Sequence, residues 1–186
     1  VGNRGLYDRN EIRDVLALLK VLVEPQDPIN LYRVLNLESL EIDPDAISQS
    51  LSKARYEKKD LWDIIKDSAD EKIKNLVALL REYGEQITKL TPVTLIYQLV
   101  HQINYLDQYI QEETIENQLT LKNLDLFLDK AKKFEVDFNQ DTKEIPTIID
   151  FLDYLETMIE AGDNPAQAEI EDIDTINLLT VHASKG

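Results

Sequence analysis

The stretch DRNEIRDVLALLKVLV, residues 8–23, decides the fold class of this chain. Its apolar side chains recur every three or four residues, as one buried face of an α-helix requires, whereas a half-buried strand would alternate apolar and polar residues. Asp8 followed by Glu11 has the spacing of a capping box, so we predict that Asp8 caps this helix. Pro25 and Pro28 follow and end it.

Similar helix signals occur along most of the chain, in which Gly (5) and Pro (6) are scarce. A cap residue directly before a proline predicts a helix start at Asp43-Pro44 and at Thr91-Pro92, and Asp70 is the cap expected for a third helix. The segment 61–65 is a short helix that buries the only tryptophan. The apolar stripes predict further helices at about these positions: 31–35, 43–55, 70–84, 91–103, 105–110 and 113–138.

The residue pattern changes after the last helix. We expect Pro146 to open that helix and Gly162 to end it in a left-handed conformation. Residues 163–174 are expected to form an acidic linker. Residues 175–181, TINLLTV, are β-branched and almost continuously apolar, as in a buried strand of an α/β sheet. One strand cannot bury both of its faces, so we expect its sheet partners outside this sequence. The predicted fold class is mainly α, with a terminal strand that belongs to a second domain.

Composition restricts the function of the chain. The net charge of -16, from 36 Asp and Glu against 20 Lys and Arg, opposes broad binding to phosphates. The absence of cysteine excludes disulfides, thiolate catalysis and a cysteine-based zinc site, and it favours a reducing cytoplasm as the compartment. No run of about 18 apolar residues is present, so we expect no membrane partner.

Three stretches resemble superfamily 1A DNA helicases of the UvrD/Rep/PcrA type. INLLTVHASKG, residues 176–186, is similar to helicase motif V, in which a strand runs into a Thr-Val-His, small residue, Ser/Ala, Lys-Gly loop. Residues 2–14 look like the family segment in which an aromatic residue, an Arg and a Glu-Ile-basic-Asp run open a helix. Residues 25–28 and 31–36 resemble the prolines, acids and Arg-Val-Leu-Asn helix that follow in the family.

The resemblance implies a division of the chain and a role for it. In that family the sequence between these motifs is subdomain 2B, a multi-helix insertion in the second RecA-like motor domain, 2A. Residues 1–23 and 174–186 would then be edges of 2A, and residues 24–173 a 2B-type accessory domain. The parent protein would use ATP and Mg to translocate on DNA. This chain lacks a Walker A loop and an Asp-Glu pair on a strand of the kind that would hold Mg, so we expect no cofactor, no metal site and no ATP hydrolysis in the isolated fragment.

Site residues follow from the same resemblance, position by position. Arg9 and Glu11 match the N-terminal motif, where we expect salt bridges and anchoring of the helix, and no residue of the chain is assigned a catalytic role. His101 lies in a helical stripe and is interpreted as structural. The residues implied to contact DNA come from the motif V-like loop: Thr180, His182, Lys185 and Gly186.

One stretch departs from the family pattern. Residues 37–44, LESLEIDP, replace the Gly-Ile-Gly turn through which many 2B domains approach duplex phosphates, and Glu41 stands where another branch of the family has glycine. Three acids in this turn repel phosphate, so duplex binding through it is disfavoured. A local basic patch is the alternative hypothesis for a DNA contact, although such runs are more often plain solvated surface. Its residues are Lys53, Arg55, Lys58 and Lys59.

Two functions from different classes are therefore carried forward. The first is a fragment of an ATP-dependent DNA helicase, whose accessory 2B domain regulates unwinding and contacts DNA, the other helicase subdomains or a partner protein. The second is an acidic helical protein-interaction module with no helicase role. An acid/base enzyme with paired carboxylates such as Glu112-Glu113 is disfavoured, because 36 acids produce such pairs freely on solvated helices.

Overall fold

The computed structural model of the protein describes residues 5–175. Over that range the chain forms nine α-helices and no β-strand, so the prediction of a mainly α fold is confirmed. Most of the predicted terminal strand, residues 176–181, lies outside the described residues. The helices are α1 Asn10–Val23, α2 Pro28–Leu35, α3 Pro44–Glu57, α4 Leu61–Ile65, α5 Glu71–Gly84, α6 Pro92–Gln102, α7 Asp107–Ile110, α8 Ile115–Thr142 and α9 Ile148–Glu160, with 3-10 turns at Leu6–Asp8, Glu38–Leu40 and Ile170–Thr175.

Several helix ends are where the sequence predicts them. The side chain of Asp43 accepts a hydrogen bond from the backbone N–H of the first turn of α3, and Asp70 and Thr91 do the same for α5 and α6. Each bond satisfies a donor that the helix itself leaves unpaired. Gly162 follows α9 with a φ of 80°, the left-handed conformation expected for it.

The predicted cap of α1 is wrong. Asp8 belongs to the preceding 3-10 turn, Arg9 occupies the N-cap position, and no side chain caps α1. Glu11, the other half of the expected capping box, is 4% exposed and accepts a hydrogen bond from Asn123 of α8 instead. A buried carboxylate must be paired, so the distant partner competes with the local capping pattern.

Other predicted helix ends, and the predicted linker, also differ from the structure. Helix α2 begins at Pro28, capped by Asp27, and is therefore longer than expected. Thr147 caps α9 in a capping box with Asp150, one residue after the proline expected to open the helix. Residues 163–174 are not a free linker, because Ala168 is buried and the turn Ile170–Thr175 packs against α8.

Helix α1 lies at the centre of one hydrophobic core. It packs against α2, α5, α6, α8 and α9, and its residues Ile12, Leu19 and Val21 are completely buried. Trp62 of α4 is half-buried against the same core. Helix α1 thus shares its core with the later helices. The domain boundary predicted at residue 23 stays a prediction. Among the helices of residues 5–175, none is long and apolar enough to cross a bilayer.

Candidate functional site

The first described residues cross the segment that follows α9. We call this crossing the neck and define it as residues 5–8 and 164–168. Gly5 pairs with Ala166 in an antiparallel bridge, and the N–H of Leu6 donates to the carbonyl of Pro165 at 2.7 Å. The start of the described chain is therefore tied to the segment that follows α9, beside the N-terminal end of α1, and the chain then continues along α8 to residue 175.

Asn164 closes the neck with its side chain. Its Oδ1 accepts the backbone N–H of Tyr7 at 3.0 Å, and its Nδ2 donates to Oδ2 of Asp8 at 2.9 Å. A Cβ at Gly5 would overlap this amide group. Glycine at this position thus leaves room for the side chain that ties the two segments together.

A buried polar network anchors the neck to the core. Asn123, which is 1% exposed on α8, donates to Oε1 of Glu11 at 2.7 Å and accepts the backbone N–H of Ala168, also at 2.7 Å. Arg9 Nε lies 3.2 Å from the same Glu11 oxygen. Arg9 and Glu11 thus form an ion pair at the start of α1, and through Asn123 it is joined to the returning segment.

The residues implied to contact DNA in the motif V-like loop lie beyond the described part of the chain. The structure therefore places none of Thr180, His182, Lys185 and Gly186.

The predicted basic patch lies at the end of α3 and is partly neutralised. Glu57 stands among its cations and accepts a hydrogen bond from Lys59 Nζ at 2.8 Å, with Lys53 Nζ at 3.9 Å. The bond from Lys59 lowers the pKa of Glu57, so this carboxylate stays ionised at neutral pH. The four cations of the patch are exposed: Lys53, Arg55, Lys58 and Lys59.

A second basic surface is a cleft of about 690 Å³ between α1, α2 and α7. Arg13 and Lys20 line it from α1, and Arg33 lines it from α2, beside the half-exposed ring of Tyr32. Sequence analysis missed this cleft because its cations come from two helices. The spacing of Arg13 and Lys20, seven residues apart on one helix, is the pattern that places both on one face.

Asp14 fixes one side of this cleft. Its Oδ1 accepts a hydrogen bond from Nε of Arg33 at 2.6 Å, and its Oδ2 accepts one from the hydroxyl of Tyr105 at 2.6 Å. Burial, followed by the charge of Asp14, raises the pKa of Tyr105 well above its ordinary range. The hydroxyl therefore remains a donor, and the guanidinium of Arg33 is held in a set orientation at the cleft wall.

The turn of residues 37–44, which we call the acidic turn, contains a strained residue. Glu41 has a φ of 51° and a ψ of 34°, the left-handed region that favours glycine. Its carboxylate accepts a hydrogen bond from Lys72 Nζ of α5 at 2.9 Å, and this bond lowers the pKa of Glu41. The position at which the resemblance implies glycine therefore has a backbone conformation suited to glycine.

His101 is placed as a structural residue. Its ring packs against Tyr97 with centroids 4.2 Å apart, and Nδ1 lies 2.7 Å from the Tyr97 carbonyl oxygen. Both contacts lie within one turn of α6.

Comparison with known proteins decides the family. The chain matches the UvrD-like helicase C-terminal domain over residues 1–186. It belongs to this family. The resemblance to UvrD/Rep/PcrA-type helicases stated from the sequence is thereby confirmed, and membership favours the helicase hypothesis over an interaction module with no helicase role.

The individual relatives that the chain resembles are named as ATP-dependent DNA helicases. The chain is 30% identical over 196 residues to the ATP-dependent DNA helicase PcrA of Bacillus subtilis, covering 100% of the chain and 26% of that protein. Its identity to the protein of the same name from Staphylococcus epidermidis is 27%, over 100% of the chain and 25% of that protein. For Staphylococcus aureus the identity is 25% with the same coverage. The chain thus spans about a quarter of the length of these relatives.

Proposed function

We propose that this UvrD-like chain is the accessory region of an ATP-dependent DNA helicase. It regulates unwinding and contacts DNA or partner proteins, while ATP and Mg are bound and used elsewhere in the protein, in the cytoplasm. The observation that carries the proposal is the family match over the whole of the chain, together with relatives named as helicases of which it spans about a quarter.

The neck supports an accessory role. Residues 5–8 and 164–168 are hydrogen-bonded to each other, so the segments before α1 and after α9 are held together at one crossing. A body attached in this way is well suited to turn as a unit relative to its neighbour, because few contacts have to change. Regulation by reorientation or docking therefore fits this geometry better than catalysis.

Charge supports local rather than broad contact with DNA. The chain carries a net charge of -16, and the α3 patch has a carboxylate among its cations. The cleft also holds the carboxylates of Glu38 and of Asp14, which pairs with Arg33. Its other cations, Arg13 and Lys20, and the motif V-like loop are the groups that would supply phosphate contacts. Few such contacts give weak affinity, and that affinity falls with salt in proportion to the number of phosphates contacted.

The test uses the longer helicase that contains this chain. Gly5 and Ala166 pair across an antiparallel bridge, so their Cα atoms lie about 4.5–5.5 Å apart. Two glycines can therefore span the gap between Gly5 and Ala166 in place of residues 6–165, and α1 is removed with the helical body whose core it shares. We expect DNA-stimulated ATP hydrolysis to remain within about tenfold of the intact protein, while the rate of duplex unwinding changes and the separate 186-residue chain hydrolyses no ATP.

Two results would contradict this proposal. Loss of ATP hydrolysis in the shortened helicase, with its fold intact by circular dichroism, would place the chain in the catalytic machinery. An unwinding rate equal to that of the intact protein would remove the regulatory role.

A further inference from the structure

An apolar groove of about 470 Å³ lies between the second half of α1 and α9. Buried or half-buried leucines form its floor, and apolar side chains at its edges stay in contact with solvent: Val23 is 37% exposed, Ile149 37% and Ile159 44%. The residues that build the apolar surface are Leu16, Val23, Ile149, Leu152, Leu155 and Ile159.

Acidic residues surround this groove. Its rim carries five carboxylates against one ammonium group, that of Lys20, and none of the five forms an ion pair with another residue of the described range 5–175. These five carboxylates around an apolar floor, of which Asp27 also accepts the hydrogen bonds that cap α2, set up a negative potential that extends for about 8 Å at physiological salt. The rim acids are Glu24, Asp27, Asp153, Glu156 and Glu160.

We propose that this groove docks a basic amphipathic helix of a partner protein. The apolar face of that helix would cover the leucine floor, and its Lys and Arg side chains would meet the carboxylates of the rim. Helix α9 has 13 residues and is thus about 20 Å long, so a partner helix of three to four turns would match the groove in length. This inference rests on the docking role proposed above but needs no unwinding activity.

Charge argues against the other occupants. A second copy of the chain would bring the same net charge of -16 to an acidic rim, and DNA phosphates would meet five carboxylates. The flanking parts of the polypeptide attach at the neck, whose contacts with α1 end at Glu11, whereas α1 lines the groove only from Leu16 onward. The groove therefore begins beyond the neck on α1, and on α9 it ends at Glu160, four residues before the neck.

The probe is a fluorescent peptide of about 18 residues, long enough to form a helix, with Leu at helical spacing on one face and Lys elsewhere. A control peptide has the same composition in scrambled order, so its charge is equal but its apolar face is lost. Fluorescence anisotropy with the 186-residue chain at about 150 mM salt measures both affinities. We expect the amphipathic peptide to bind at least about tenfold tighter than the control.

Matched variants locate the site. Ile159→Lys and Ile149→Lys each place a cation at the edge of the groove and should weaken binding of the amphipathic peptide about tenfold or more. Val136→Lys, at a 55% exposed position on α8 outside the groove, changes the net charge equally and should leave the affinity unchanged. Circular dichroism checks that all three variants fold like the unmodified chain.

Four results would overturn the inference. The scrambled peptide could bind as tightly, which would reduce the effect to bulk charge, or Val136→Lys could weaken binding as much as Ile159→Lys. Sedimentation could show a dimer that Ile159→Lys abolishes, which would assign the groove to a second copy. The peptide could bind the 186-residue chain but not the longer helicase, which would assign it to another part of the same polypeptide. None of these results depends on the ATP hydrolysis or unwinding that test the proposed function.

Discussion

The network that anchors the neck and the acidic turn each contain a carboxylate, but one carboxylate is buried and the other faces solvent. Glu11 at the neck is 4% exposed and is bound by Asn123 and Arg9. Glu41 in the turn is 74% exposed and has a single partner, Lys72, which is itself 51% exposed. A hydrogen bond is stronger in a poorly polar interior, and an exposed ion pair is screened by water and salt.

The difference teaches which polar groups hold the structure and which only shape its surface. In the network that anchors the neck, removing one partner leaves a buried polar group without one of its hydrogen bonds, so the crossing depends on each group. In the acidic turn, the ion pair contributes little, and the strained backbone of Glu41 is the larger effect. The neck is therefore expected to be sensitive to substitution and the turn tolerant of it.

The largest expected effect is that of Asn123→Ala. The substitution removes the amide that binds Glu11 and leaves the backbone N–H of Ala168 without its acceptor, so we expect a loss of about 3 kcal/mol in the free energy of unfolding. For a chain of this size that corresponds to a fall in Tm of roughly 6–12 °C. Thermal and urea unfolding measure the change.

Asn139→Ala on the same helix is the control for that comparison. Asn139 is exposed and donates only to the carbonyl of Glu144 at the end of α8, so its loss should change the stability by less than about 0.5 kcal/mol. Equal effects of the two alanine substitutions would show that the buried network at the neck contributes nothing beyond helix propensity.

A smaller effect is expected for Gly5→Ala. The backbone of Gly5 has a φ of -68° and a ψ of 170°, which alanine adopts freely, so the only penalty comes from the added Cβ displacing Asn164. Loss of the two hydrogen bonds of Asn164 should cost about 1–2 kcal/mol. Chemical unfolding of the single variant gives this value.

A double-mutant cycle separates this cause from any other. Asn164→Ala alone removes the same two bonds, and in that background Gly5→Ala should be neutral or slightly stabilising. If the two losses simply add, the overlap with Asn164 is not the reason for glycine at position 5.

Local patterns predicted much of the fold but little of the neck. Caps followed by prolines, as at Asp43 and Thr91, depend only on neighbouring residues, so the sequence alone places those helix starts. The bond between Glu11 and Asn123 joins residues 112 positions apart, and no local spacing reports it. The same long-range bond explains why the predicted capping box with Asp8 is wrong.

The two basic surfaces also differ in whether the local sequence reveals them. The patch at the end of α3 is visible in the sequence because its cations are adjacent, but the neutralising contact of Glu57 depends on side-chain placement. The cleft of Arg13 and Arg33 forms only when α2 folds back on α1, so packing creates it. Motif resemblance predicted the family, because acidic composition and helical periodicity alone fit many functions. The family match over residues 1–186 then decided it.

The smallest expected effect lies in the acidic turn, where Glu41→Gly and Glu41→Ala form a matched pair. Both substitutions remove the exposed ion pair with Lys72, but only glycine relieves the left-handed backbone at a φ of 51°. Relief of about 1–2 kcal/mol is partly offset by the greater entropy of glycine in the unfolded chain, so the glycine variant should be more stable than the alanine variant by roughly 0.5–1 kcal/mol. Urea unfolding of the two proteins side by side measures the difference. Equal stability would mean that the turn relaxes out of the left-handed region once the carboxylate is gone, and that the contact with Lys72 is what holds Glu41 there.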